Sequence, residues 1–224
     1  MYVLASIDKR SALAMAGMPN FSFEDDYQGI VCGIDEVGRG PLAGPVVAAA
    51  VVIQRSKASA DILAQINDSK KLTTQKRAYL FDKIHEFSHV GIAQCSVAEI
   101  DSINILQASL LAMKKAFEIL NIRPSVALVD GNQSPKLSCT IKTIVQGDAR
   151  SLSIAAASIV AKHYRDVLMR EIANDFPHYG WTTNAGYGTA HHLKAIEIHG
   201  VTLHHRRSFS PVRKQLLKVS SAKN

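Results

Sequence analysis

The sequence predicts an α/β domain on a mixed sheet of parallel and antiparallel strands, followed by a helical C-terminal lobe. Three observations carry that expectation. Short buried apolar runs recur through the first two thirds of the chain. Helical periodicities lie among them without strict alternation. From Pro177 the pattern loosens into a Gly/Tyr-rich loop, a helical stretch and a basic tail.

Met1 to Gln28 show no sustained period and mix Lys9 and Arg10 with Asp8, Glu24, Asp25 and Asp26, so they read as a partly ordered extension. The folded domain is expected from Gly29. Ile30 to Ile34 form a buried strand ending on Asp35, and Pro45 to Ile53 a second after the Gly-Pro-rich turn Gly38 to Gly44. Asp68-Ser69-Lys70-Lys71 is a polar loop. Thr73 or Thr74 caps a helix with Leu80, Ile84 and Phe87 on one face. Val90 to Val97 is a third strand, and Ala98 to Leu120 is helical, in one piece or two, with Pro124 closing the region.

Val126 to Val129 form a fourth strand ending on Asp130, and Thr140 to Val145 a fifth, followed by Gly147-Asp148. Ser151 to Asn174 make a strong helix, with Ile154, Ala157, Ala161, Tyr164, Leu168 and Ile172 at steps of three or four. Its first turns carry Ala155, Ala156, Ala157 and Ser158, so another element packs very close there. Ala190 to His199 is helical again. The chain therefore divides into an extension (1–28), a core (29–176) and a helical, basic, substrate-binding extension (177–224).

The formal net charge is +7 with pI about 9.4, which favours an anionic partner, most simply nucleic acid. From His191 onward there are seven Lys or Arg (Lys194, Arg206, Arg207, Arg213, Lys214, Lys218 and Lys223) against Glu197 alone, so nearly the whole surplus lies in the tail. The bland alternative is a solvated tail. Cys32, Cys95 and Cys139 are few, odd in number and far apart, which fits a reducing compartment and argues against structural zinc. No apolar run is long enough to span a bilayer, and charges interrupt the N-terminus as a signal peptide. A cytoplasmic monomer without membrane contact is expected.

Asp35, Asp130 and Asp148 stand at or just after strand ends, with Glu36 beside the first. Strand ends gather on one edge of a sheet, so these acids can share a site. Four carboxylates together repel one another unless a cation neutralises them. All-oxygen ligands suit Mg²⁺ or Mn²⁺, and two such ions can activate water and stabilise the leaving oxygen of a phosphodiester. Each acid alone is more simply a turn former or cap. Asp166 competes with Asp148 for the fourth place, but it lies inside a helix beside Arg165, where an ion pair is the simpler role.

Gly33-x₄-Gly38-Arg39-Gly40 mimics a P-loop only superficially. Arg39 and Gly40 replace its Lys and Ser/Thr, and two acids inside it would repel a triphosphate. His191, His192, His204 and His205 look like a metal cluster, but adjacent helical residues diverge, so solvated or capping roles are expected. Ser134 and Cys139 have no base beside them in sequence for nucleophilic catalysis. Lys162 could reach a substrate or merely snorkel.

The segment Gly33 to Val52 (GIDEVGRGPLAGPVVAAAVV) resembles the signature of bacterial ribonuclease HII. Further blocks follow in that family's order: Asp68 to Leu72, Val129 to Asn132, Gly147-Asp148, Ala155 to Lys162, Gly186 to Thr189 and His205 to Phe209. The resemblance covers about Gly29 to Val212. It implies an RNase H-like mixed β-sheet flanked by helices, with a helical C-terminal extension. It implies metal-dependent endonucleolytic cleavage of RNA in RNA–DNA hybrids and 5′ of single ribonucleotides embedded in duplex DNA, leaving 5′-phosphate and 3′-hydroxyl ends.

By the same resemblance Asp35, Glu36, Asp130 and Asp148 are catalytic, metal-binding acids using Mg²⁺ or Mn²⁺. Gly38, Arg39 and Gly40 contact the backbone around the ribonucleotide, and Tyr187 packs on the sugar at the ribose-to-deoxyribose junction. Ser69 and Lys70, with Lys71, are read from the loop itself as phosphate contacts, against a plain charged loop. Ribonuclease HIII departs from the Gly-Arg-Gly pattern and usually carries a larger N-terminal domain. Another polynucleotidyl-transfer chemistry would explain the acids but not the turn with Tyr187. A non-enzymatic binding module would explain the tail but leave the acids repelling phosphates.

Overall fold

The computed structural model describes residues 18–221. Five strands form one sheet: β1 (Val31–Val37), β2 (Val46–Ile53), β3 (Ser88–Cys95), β4 (Val126–Asp130) and β5 (Thr140–Ile144), in the order β3-β2-β1-β4-β5. The β1/β2 and β2/β3 pairs are antiparallel, and β1/β4 and β4/β5 are parallel. The mixed sheet is thus as expected, with β1 at its centre.

Several boundaries differ from the sequence expectation, for physical reasons. β1 does not end before Asp35. It runs on to Val37 because the hairpin ladder with β2 continues, pairing Asp35 with Ala49 and Val37 with Val47. β3 stops at Cys95 because Ser96 and Glu99 form a reciprocal capping box that starts the helix Val97–Ile103. The following helix, Ile105–Ile119, is separate. Asn104 at φ 68° breaks the run, and its side-chain oxygen accepts from the Leu106 and Gln107 amides. The basic tail is also helical, over Ser210–Ser221.

Alternation along the strands sends side chains to two layers. Cys32, Ile34, Ala48 and Ala50 pack with Ala108, Ala112, Ala116 and Phe117 of the Ile105–Ile119 helix. On the other face Val47, Ala49 and Val51 pack with Leu80 and Ile84 of the helix Thr74–Phe87 and with the long helix Leu152–Asp175. The small residues of that long helix have the anticipated purpose. A Cβ on Gly33 would lie 2.1 Å from the Ser153 carbonyl carbon, so helix and strand backbones touch. The C-terminal lobe has its own core around Trp181, Tyr179, Ile196 and Val212, closing on Leu42 and Ala43 of the β1–β2 turn. No described helix is long and apolar enough to cross a membrane.

The later part of the N-terminal extension is packed on the core. Glu24, in the short helix Ser22–Asp25, is buried and accepts from the Ser151 hydroxyl at 2.7 Å and the Ser153 amide at 2.9 Å. Residues 1–17 lie outside the described residues.

Candidate active site

Asp35 and Glu36 are consecutive on a strand, so they leave the sheet on opposite faces. Asp130 ends the neighbouring strand, and Asp148 lies in the single 3₁₀ turn Gly147–Ala149. Asp130 ties the group together electrically. Its charge acts on Asp35, on Glu36 and on Asp148.

Burial raises the Asp35 carboxyl well above its ordinary pKa, reinforced by Glu36, Asp130 and Asp148 and opposed by the Ser158 hydroxyl. Burial also raises Glu36, with Arg39 opposing and Asp130 adding. Asp148 is raised by burial and by Asp130, against Lys70. At Lys70 burial works downward, but the carboxylates of Asp148, Asp68 and Asp35 outweigh it and lift the ammonium.

The acids are lightly tethered. Asp35 Oδ1 accepts from the Glu36 amide at 2.7 Å, and Asp130 Oδ1 from the Gly147 amide at 2.7 Å. Lys70 Nζ lies 3.5 Å from Asp148 Oδ2, and Arg39 Nη1 lies 3.4 Å from Glu36 Oε1. Among the described residues no three His, Cys, Asp or Glu side chains are preassembled to hold a metal ion. The donor chemistry nevertheless fits a hard divalent cation. All the donors are oxygens, and three of the four acids are held in a state of mutual repulsion that a cation would relieve.

Asp166 is elsewhere. It is paired with Lys162 at 2.7 Å and Arg77 at 3.3 Å, and it is absent from the charges acting on Asp35. Lys162 is thereby engaged within its own helix. Ser69 is buried, with its hydroxyl 2.9 Å from that of Ser158, so of its loop only Lys70 and Lys71 stand exposed.

The Gly38–Gly40 turn follows directly. Gly38 has φ 97°, and a Cβ there would lie 2.3 Å from Arg165 Nε, so both backbone and space require glycine. A Cβ on Gly40 would lie 3.4 Å from the Tyr187 ring. Tyr187 is 46% exposed, so its ring and the turn share one open surface.

Two arginines that the sequence did not single out build this surface from beneath. Arg165 donates to the carbonyls of Pro45 (3.0 Å), Ala185 (3.0 Å) and Ala43 (3.1 Å). Arg206 donates to those of Gly38 (2.6 Å), Arg39 (2.9 Å) and Gly44. Both are fully buried, and burial lowers their pKa to about 10 and about 9. Arg206 is therefore not a free cation of the basic tail. His192 and His205 depart from the expected solvated roles as well, being 0% and 1% exposed. Arg165 had a signal in the sequence: it falls on the buried stripe of its helix, four residues from both Ala161 and Met169.

A model of the ribonuclease HII family matches residues 32–212. Ribonuclease HII of Paramagnetospirillum magneticum is 51% identical over 200 residues, covering 89% of this chain and all of that protein. Ribonuclease HII of Wolbachia pipientis subsp. Culex pipiens is 53% identical over 195 residues, covering 87% of this chain and 98% of that one. Among solved structures, ribonuclease H2 from Pyrococcus horikoshii OT3 superposes with a TM-score of 0.74 at 26% identity, over 86% of this chain and 99% of the other. Bst-RNase HIII in complex with Mn²⁺ shares the fold at 18% identity and a TM-score of 0.68, over 86% of this chain and 70% of its own.

Proposed function

The chain belongs to the ribonuclease HII family, endoribonucleases acting on the RNA of RNA–DNA hybrids, and on that premise we propose that it also nicks duplex DNA 5′ of an embedded ribonucleotide. The ends would be a 5′-phosphate and a 3′-hydroxyl. One observation carries the reading: the mutually repelling carboxylates of β1, β4 and the Gly147–Ala149 turn lie beside a glycine turn that shares its surface with an exposed tyrosine.

Asp35, Glu36, Asp130 and Asp148 hold Mg²⁺ or Mn²⁺ in this reading. When bound, such ions supply activation of water and stabilisation of the leaving oxygen at a phosphodiester. The protein's own groups do the recognition. The 2′-hydroxyl is what distinguishes ribose, and it can donate and accept. Backbone groups of the Gly38–Gly40 turn can approach it closely because Gly40 carries no side chain. Tyr187 offers a flat face to the next sugar. Arg39, whose side chain is half exposed, presents a fork to phosphate oxygens. Lys70 and Lys71 add charge along the strand path. The enzyme would work as a cytoplasmic monomer.

The test is a DNA duplex with one ribonucleotide, incubated with Mg²⁺ or Mn²⁺. Nicking 5′ of the ribonucleotide is expected. Intact protein that cuts a continuous hybrid but leaves this duplex whole would overturn the embedded-ribonucleotide reading. Asp130→Asn should abolish cutting of either substrate while retaining binding in a gel-shift assay, because it removes a charge shared by the other three acids.

A further inference from the structure

The segment His204-His205-Arg206 meets the β1–β2 turn through a single antiparallel bridge. The Gly44 amide donates to the His204 carbonyl at 2.9 Å, the Arg206 amide donates to the Leu42 carbonyl at 2.8 Å, and Ala43 bridges His205 antiparallel. At such a bridge, neighbouring side chains leave on opposite sides.

Arg206 reaches one way. Its guanidinium draws the carbonyls of Gly38 and Arg39 inward, together with that of Gly44. All peptide bonds described are trans. In a trans unit the carbonyl and the following N–H point oppositely. The amides of Arg39 and Gly40 are therefore turned away from Arg206, toward the outer side of the turn.

His205 reaches the other way. Its Nδ1 accepts from the Thr202 amide at 3.0 Å, so its proton is on Nε2, which donates to His192 Nε2 at 3.1 Å. That His192 nitrogen also accepts from Trp181 Nε1 at 3.0 Å. The His192 proton is then on Nδ1, which donates to the Tyr187 carbonyl at 2.8 Å. One neutral tautomer of each ring accounts for this chain, with the Trp181 and His205 donors sharing the single lone pair of His192 Nε2. Burial lowers both imidazoles, His205 to about 3, consistent with that neutral chain.

We infer that His205 and Arg206 are positioning residues that together set the spacing between the Gly38–Gly40 turn and Tyr187, and thereby the preference for a ribose followed by a deoxyribose. The inference rests on the roles given above to the turn and the tyrosine. Both hang from one dipeptide: the turn through two carbonyls, the tyrosine through two imidazoles. A substrate with a single ribonucleotide must satisfy both readers at once, so it is the more sensitive to their separation.

The experiment compares cleavage rates on a duplex with one ribonucleotide and on a continuous RNA–DNA hybrid, in Mg²⁺. Arg206→Lys, which cannot span three carbonyls, and His205→Phe, which keeps the ring but not its donor, should each lower the single-ribonucleotide to hybrid ratio by about tenfold or more, within the roughly hundredfold that a 1 Å misplacement can cost. His205→Gln restores a donor toward His192 and should recover most of the ratio. Tyr187→Ala should lower the ratio too, and His205→Phe added to it should cost nothing further, because residues acting through one another are non-additive.

Equal loss on both substrates, or fully additive losses with Tyr187→Ala, would overturn the inference. Where Arg206→Lys does not fold, the His205→Phe and His205→Gln pair decides. An unaltered protein that fails to nick the single ribonucleotide overturns the functional reading beneath. An unaltered protein that nicks, with variants of unchanged ratio, overturns the inference alone.

Discussion

The acid cluster and the polar network of the C-terminal lobe are both buried or half-buried and both charged or titratable, yet they are built on opposite rules. In the cluster, like charges crowd together, and the carboxylates are only lightly tethered. In the network, Arg165 and Arg206 donate only to carbonyls, and His192 and His205 are held as neutral rings. The cluster is poised for a ligand that relieves its repulsion. The network is complete without one and so is rigid. One region is arranged to receive, the other to hold the receiver in place.

The largest effect should come from opening the network. Arg206→Met leaves the buried carbonyls of Gly38 and Gly44, and the part-buried one of Arg39, without a donor, at a cost of about 3 kcal/mol or more. Urea unfolding should show it, and an undiminished midpoint would mean that the carbonyls find other partners. The cluster should respond in the opposite sense. Asp35→Asn removes a buried charge from among its own kind, and should raise the metal-free stability by about 1–2 kcal/mol while abolishing cleavage. Its melting advantage should shrink when Mg²⁺ is added.

A smaller contrast is one of pH. The folded pKa values of Asp35, Glu36 and Asp148 are raised, so their contribution to stability is complete below the ordinary carboxylate values of 3.8 and 4.5 and is lost as pH climbs through the folded values. Those of His192 and His205 are depressed, so theirs is complete above 6.5 and is lost as pH falls, toward about 3 for His205. Acidification therefore strengthens the metal-free cluster and weakens the network. Melts from pH 7.5 downward should show the Asp35→Asn advantage and the His205→Gln deficit both shrinking. A deficit independent of pH would show that His205 does not remain neutral.

The sheet was legible because apolar runs such as Val46 to Ile53 admit few other fates, and the acids were legible because Asp35-Glu36 and Asp130 interrupt such runs. Helix starts at Thr73, Ser96 and Ser151 follow cap chemistry that a sequence displays. What stayed hidden depends on contacts between distant segments. The strand continues through Glu36 only because β2 lies opposite. Arg206 looks like one more charge in a basic tail until residues 38–44 fold over it. His192 and His205 are thirteen positions apart, and no local pattern marks them as a hydrogen-bonded pair.

The buried Glu24 bears on where the working unit of this protein starts. The family model spans residues 32–212, and the apolar pattern points to Gly29. A minimal fragment cut there would leave the Ser151 hydroxyl and the Ser153 amide without their carboxylate, at the very turn where the long helix touches Gly33. That helix carries Ser158 against the acids and Arg165 under the turn. The chain ahead of the recognisable domain thus serves as a latch on the helix that supports both halves of the site, and a shortened enzyme should keep residues 18 onward.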